Sequence, residues 1–216
     1  NSNDLLIEPT TSSQRFGNVF IRDINGDRLL DIVFDGSNSG HSSVSTYGYV
    51  YTYDGDGGFD QNWRSLEKNS TTGMVKNTVI TDLNGDGLNE YIRCHASQLH
   101  IYNGTSSGTG ADYSINFSAQ SQMIAIASTN DCDVNDFNQD GYSDLIVSSG
   151  NVWRVYNGPL GSTIQSDGHT QHAEKGIVVI DLNLDGELDL IVSNDDGGAC
   201  GFLSTVVFNA ETAGDY

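Results

Sequence analysis

Four nine-residue acidic loops recur along this chain. They read Asp23-Ile-Asn-Gly-Asp-Arg-Leu-Leu-Asp31, Asp82-Leu-Asn-Gly-Asp-Gly-Leu-Asn-Glu90, Asp136-Phe-Asn-Gln-Asp-Gly-Tyr-Ser-Asp144 and Asp181-Leu-Asn-Leu-Asp-Gly-Glu-Leu-Asp189. Oxygen-bearing side chains stand at positions one, three, five and nine each time. These are Asp23, Asn25, Asp27 and Asp31; Asp82, Asn84, Asp86 and Glu90; Asp136, Asn138, Asp140 and Asp144; Asp181, Asn183, Asp185 and Asp189. Alternate residues of a tight turn can point at one centre. Calcium takes six to eight oxygens at about 2.3–2.6 Å, and a backbone carbonyl at position seven is a natural further ligand. That slot holds Leu29, Leu88, Tyr142 and Glu187. Three acids and one amide suit Ca²⁺, with up to four ions per chain. Mg²⁺ demands a smaller octahedron and keeps its waters. Zinc seeks nitrogen and sulfur ligands that the loops lack.

The competing reading is an ordinary Asp-Gly turn, and four copies in one register weigh against it. The copies are not equal. Position six is Gly87, Gly141 and Gly186 in three loops, where a positive φ costs little, but Arg28 in the first. The first site is therefore expected to be the weakest. An EF-hand would need a bidentate Glu at position twelve and flanking helices. Here that position is Phe34, Arg93, Val147 or Val192, and β-branched runs follow each loop. The loop thus joins two strands of a hairpin.

The elements that must position the loops follow from the spacing. Loop starts at 23, 82, 136 and 181 give a mean period near 53 residues, which signals a propeller or solenoid. An aromatic-turn signal follows each loop: Tyr53-Asp-Gly55, Tyr102-Asn-Gly104, Tyr156-Asn-Gly158 and Phe208-Asn-Ala210. Each unit reads as a strand before the loop (18–22, 78–81, 124–128, 177–180) and a strand after it (31–34, 90–93, 145–147, 188–192). A third strand ends in the aromatic (49–53, 99–102, 152–156, 205–208), and a fourth follows the turn, as at 113–117. No helical period stands out, so the chain reads as all-β. Four strands per unit around an axis is the propeller plan.

The expectation is a single domain over 1–216: a small propeller of four blades of four antiparallel strands, with a calcium hairpin in each blade. An N-terminal strand and linker would occupy 1–14. The blades would occupy 15–70, 71–120, 121–172 and 173–216. The last unit lacks a fourth strand, and Asp4-Leu-Leu-Ile-Glu8 belongs to no unit. That spare strand could fill the vacant edge in the same molecule or in a neighbour, giving a monomer or a head-to-tail fibre. Long insertions between the second and third strands (36–45 and 194–200) read equally as a binding face or as tolerated surface loops.

Formal net charge is −20, with nine Lys plus Arg against 29 acids. Twelve of those acids fill the loops' side-chain positions. So acidic a surface argues against nucleic acid or an anionic membrane as partner. No run of eighteen apolar residues predicts a membrane-spanning helix. The chain starts at Asn1, which fits a processed or truncated secreted protein. An extracellular or cell-surface setting also suits weak calcium loops. Cys94, Cys132 and Cys200 allow one internal bridge and one further thiol, or three reduced cysteines. Asn69, Asn103, Asn116 and Asn130 stand in glycosylation-type triplets that permit modification without showing it.

Arg15-Phe-Gly17, the Asp-x-Asn-x-Asp-Gly-x-x-Asp core and the Leu-Ile-Val that follows resemble the FG-GAP/VCBS repeats of integrin-α-like β-propellers, over residues 15–210. The resemblance implies calcium held structurally at each hairpin. Its members usually have seven blades, whereas four motifs occur here. The chain is either a small propeller, part of a larger ring or an assembling unit.

Three functions are compatible with these features. The first is a non-catalytic, calcium-stabilised extracellular structural or adhesion module with a protein ligand or self-association through residues 4–8. The second is a calcium-dependent glycan-binding lectin, using Tyr47, Tyr49, Tyr51, Tyr53, Trp63 and Trp153, although strand aromatics more often pack between blades. The third is catalysis by His95, His100, His169 or His172, or service as an accessory module of a secreted enzyme. No nucleophile elbow, zincin or phosphate-loop motif supports a catalytic role. The expectation is no enzyme and no catalytic residue.

Overall fold

A computed structural model describes residues 14–38, 45–67, 75–107, 114–117, 122–125, 129–150, 152–159, 166–169, 173–186, 188–195 and 202–207. The described chain is all-β. β1 (Gln14–Arg22), β2 (Asp31–Asn38), β3 (Ser45–Tyr53) and β4 (Phe59–Glu67) form a meander of antiparallel neighbours. β5 (Val75–Thr81), β6 (Glu90–His95) and β7 (Gln98–Tyr102) begin the second sheet, and β10 (Gln122–Ala125) completes it. β8 (Gly104–Ser107) and β9 (Ser114–Phe117) form a separate hairpin between β7 and β10. β11 (Thr129–Asn135), β12 (Asp144–Ser149), β13 (Val152–Tyr156) and β14 (Ser166–His169) make the third sheet, and β15 (Ala173–Ile180), β16 (Asp189–Asp195) and β17 (Phe202–Val207) the fourth.

Two strand assignments from the sequence need correction. Residues 113–117 were expected to be the outer strand of the second unit, but Ser114–Phe117 pairs with β8 instead. Residues 124–128 were expected to open the third unit, but Gln122–Ala125 pairs with β7, and the opening strand is Thr129–Asn135. That strand alternates Asp131, Cys132, Asp133 and Val134. Its acids interrupt the apolar run expected of a buried strand. The second sheet therefore continues past residue 120. Residues 4–8, 39–44 and 196–201 lie outside the described residues. So the spare strand and most of both insertions are not placed, and the fourth sheet has three described strands.

The first strand of each sheet carries an irregularity at the same register. It falls between Phe16 and Val19, Val75 and Asn77, Thr129 and Asp131, and Glu174 and Gly176. A bulge bends and twists a strand, so its recurrence gives each repeat the same curvature. The apolar core lies between successive sheets. Ile24, Val33 and Val50 of the first meet Ile80, Tyr91 and Tyr102 of the second. Val79, Leu83, Ile92 and Cys94 meet Cys132, Leu145 and Val147. Ile146, Trp153 and Val155 meet Ile177, Val179, Leu190 and Val192. A cavity of about 380 Å³ is lined by β1 (Val19–Arg22), β5 (Val79, Ile80) and β11 (Asp133, Val134). Sheets packed face to face, with their first strands around a channel, are the blades of a propeller.

Polar groups also cross the junctions. Asp131 and Asp133 accept the N–H groups of Ile177 and Val179, each at 3.2 Å. Asn135 donates to Val179 O at 3.3 Å, and Arg22 donates to Ile80 O. These side chains satisfy backbone groups on the unpaired inner edges of β15 and β5, which would otherwise be orphaned. Cys94 and Cys132 form a disulfide between the second and third blades, resolving the alternatives that the cysteine count left open for this pair.

Candidate metal centres

Each acidic loop joins the first and second strands of its sheet, as the sequence predicted. Its conformation is set by its own side chains. Asp23 accepts the N–H groups of Gly26 (2.7 Å) and Arg28 (2.8 Å), and Asn25 Oδ1 accepts that of Asp27 (3.0 Å). Asp27 accepts the N–H of Leu29 at 2.7 Å. The second loop repeats this with Asp82 on Gly85 and Gly87, Asn84 on Asp86, and Asp86 on Leu88. Asp136, Asn138 and Asp140 hold the third loop, and Asp181 and Asn183 the fourth, through bonds to Asp140, Gly141, Tyr142, Asp185 and Gly186. Short acids and amides are the residues that bond their own turn in this way.

Two positions of every loop need a left-handed backbone. Position six has φ of 72° at Arg28, 86° at Gly87, 92° at Gly141 and 95° at Gly186. Position four has 83° at Gly26, 79° at Gly85, 58° at Gln139 and 62° at Leu184. The Arg28 strain was legible from the missing glycine. The demand at position four was not anticipated. Loops one, three and four each carry one non-glycine in this region, so the strain is shared and does not single out the first site.

The ninth-position acid differs from the other three ligand candidates. Asp31, Glu90, Asp144 and Asp189 are 0–1 % exposed. Asp31 accepts from Ile24 N (2.8 Å) and, across the sheet, from Tyr53 N (3.1 Å). Asp144 accepts from Phe137 N (2.9 Å), Asn138 N (3.2 Å) and Gly158 N (2.8 Å). Glu90 takes Leu83 N and Asn84 N, and Asp189 takes Leu182 N. Each acid thus ties the loop's start to its second strand, and Asp31 and Asp144 also tie it to the end of the third. Burial pushes the carboxyls of Asp31, Glu90 and Asp144 above the ordinary carboxylate range. The accepted N–H groups pull the other way, and neighbouring loop acids add to the rise.

The donor set is all hard oxygen, which fits calcium. The loop carboxylates are turned onto backbone N–H groups, and among the described residues no three acid, histidine or cysteine side chains gather around one point. Glu187 lies outside the described residues. A bound ion would therefore draw the side chains at positions one, three and five together from these turn bonds.

The other sequence candidates whose side chains are described are engaged in packing. Tyr49 is buried and stacks on Phe34 with centroids 5.1 Å apart, Tyr51 stacks on Phe34 at 5.5 Å, and Tyr53 packs on Phe59 at 5.1 Å. Trp153 is buried between the third and fourth blades. His95 and His100 are buried with rings 4.3 Å apart. Nothing is described for the side chains of Tyr47, Trp63 and His169, and His172 lies outside the described residues.

No curated protein matches the sequence. Among solved structures, the crystal structure of BBS1N in complex with ARL6DN, soaked with lead, is similar with a TM-score of 0.54 at 13 % identity. The similarity covers 88 % of this chain and 55 % of that one, so this chain spans about half the length of that relative. At this identity the likeness shows the fold. The profile of the FG-GAP-like repeat matches twice, over residues 82–147 and 136–192. The two matches together span just over half of the 216 residues, and the chain belongs to the FG-GAP-like repeat family.

Proposed function

We propose that this chain is a non-catalytic, calcium-stabilised propeller module of an extracellular structural or adhesive protein. The observation that carries the reading is the fourfold loop: four hard-oxygen side chains per copy, with the ninth sealed under the hairpin as a clamp. In each copy the residues at positions one, three, five and nine would hold the ion. Calcium would supply charge neutralisation for three clustered acids and would cross-link the two strands. The interblade disulfide supports an oxidising compartment. No helix among the described residues is long and apolar enough to cross a membrane.

A protein ligand fits the module better than a glycan. The tyrosines at 49 and 51 and the tryptophan at 153 are engaged in packing, which takes these three from the stacking surface a lectin would need. The BBS1N relative is itself solved with a protein partner. Residues 4–8 would add a strand at the β17 edge, within one molecule or between two. Thermal melting in calcium, in magnesium and in EDTA tests the calcium reading. The expected result is a large fall in Tm with EDTA, restored by calcium and poorly by magnesium. A melt indifferent to chelator would sink it. Removing residues 1–9 and measuring mass by light scattering and Tm tests the strand role, which a mass and a melt both unchanged from wild type would refute.

A further inference from the structure

The repeat register shows what each exposed apolar side chain would meet. Arg22, Thr81, Asn135 and Ile180 pair with the ninth-position acids of their own loops, so the four are equivalent. Counting back along the strands, Ile21, Ile80, Val134 and Val179 are equivalent, as are Val19, Thr78, Cys132 and Ile177. In blades two to four these positions face the preceding blade. Ile80 packs with Ile24 and Val33, Cys132 is bonded to Cys94, and Val179 packs on Ile146 and Trp153. Position eight of the loop obeys the same rule, with Asn89 donating to Ile24 O and Ser143 bonded to Thr81. In the first blade the same three positions are Val19, Ile21 and Leu30, which are 59 %, 65 % and 61 % exposed.

The opposite face follows in parallel. Ile24 and Leu83 at loop position two are 1 % exposed, packed on the next blade, and their equivalent Leu182 is 49 % exposed. Val178, Ile180 and Leu184 share that face at 50 %, 47 % and 85 %. Among the described residues, seven exposed aliphatic side chains therefore lie on two surfaces, at the positions that form the two halves of a junction between successive blades elsewhere in the chain. Blade four carries Val178 and Ile180 where blade three carries Asp133 and Asn135, a choice that favours a dry contact over water.

We propose that the outer face of blade four packs against the outer face of blade one of a second copy, so that two chains close one ring of eight blades. This rests on the propeller fold and not on calcium. Each chain carries both halves of the junction, so a second copy supplies both partners at once. Closed propellers have about four to eight blades, so two four-blade arcs fill the range and a third would exceed it. Charge is complementary as well. Arg28 is the one cation within the four loops, and it stands at position six of blade one. Between blades three and four, position four reaches position six of the next loop, with Gln139 donating to Gly186 O at 2.8 Å. In the paired ring Arg28 would lie against the partner's acidic fourth loop.

Light scattering of the 216-residue chain at moderate salt, to screen its net charge, should give twice the 23.3 kDa chain mass. Ile21→Asp and Ile180→Asp should each give folded monomers. Mixed in equal amounts they should regain dimer, because one junction of the mixed pair has two unaltered faces. Misfolding cannot produce that recovery. A wild-type monomer, or single variants that stay dimeric, or a mixture that stays monomeric while both variants are folded, would each overturn the proposal.

Discussion

The ninth-position acid makes a prediction that separates clamping from metal binding. Asp144 accepts three backbone N–H groups, two on one carboxylate oxygen and one on the other. In Asp144→Asn the amide keeps one acceptor atom and turns its NH₂ toward a buried donor. One orphaned buried N–H costs about 1–3 kcal/mol, and bonds to a charged acceptor are the stronger kind. Part of this is offset, because burial already disfavours the charged carboxylate. A net loss of about 2 kcal/mol is expected in EDTA, read as a lower urea midpoint at unchanged m-value. Asp140→Asn is the control. Asp140 is exposed and bonds only within the loop, so in EDTA its loss should be within about 0.5 kcal/mol. In calcium both variants should fall further behind wild type. Equal urea midpoints for Asp144→Asn and wild type in EDTA would refute the clamp.

Several other outcomes follow from particular residues. Arg28→Gly relieves a left-handed residue at about 1–2 kcal/mol against a glycine entropy cost near 0.4–1, so urea unfolding should show a gain of about 0.5–1 kcal/mol. Gly85→Ala places Cβ 2.6 Å from the Tyr142 ring at φ of +79°, whereas Gly87→Ala meets open space at +86°. Denaturation should find the first costing about 2–3 kcal/mol and the second about 1. Cys94→Ala opens a cross-link between residues 38 apart, worth about 4 kcal/mol in the loop-entropy relation, and should lower the midpoint accordingly. The raised carboxyls of Asp31, Glu90 and Asp144 stabilise the fold fully below their unfolded values near pH 4, and that stability is lost as pH rises through their folded values. Melts in EDTA should therefore show falling Tm from about pH 4 toward neutrality, and saturating calcium should abolish the fall.

The loops, the repeat and the all-β class were legible because each rests on a local pattern: alternating oxygens in a turn, a fixed spacing, β-branched runs. What escaped depended on contacts between blades. Asp131 and Asp133 break the apolar pattern by which the other opening strands were legible, and their reason for standing in a strand is the backbone of Ile177 and Val179 in the next blade. β10 joins the second sheet across the β8–β9 hairpin, a connection that turn signals do not reveal. The left-handed slot at position four was hidden because Gln139 and Leu184 occupy it without a glycine to mark it. The tyrosines of β3 suggest a sugar-stacking face, but Tyr49 and Tyr51 both stack on Phe34 of the neighbouring strand, a contact the alternation of β3 alone does not show.

Calcium titration by calorimetry on the chelator-stripped chain distinguishes ion-binding loops from self-bonded turns. Four ions per chain should bind, with proton release from the carboxyls that burial raises. Each site would add about 2.7 kcal/mol of stability at calcium a hundredfold above its Kd. Titration without binding, with the melt unmoved by calcium, would show that the acidic loops are self-bonded turns and nothing more.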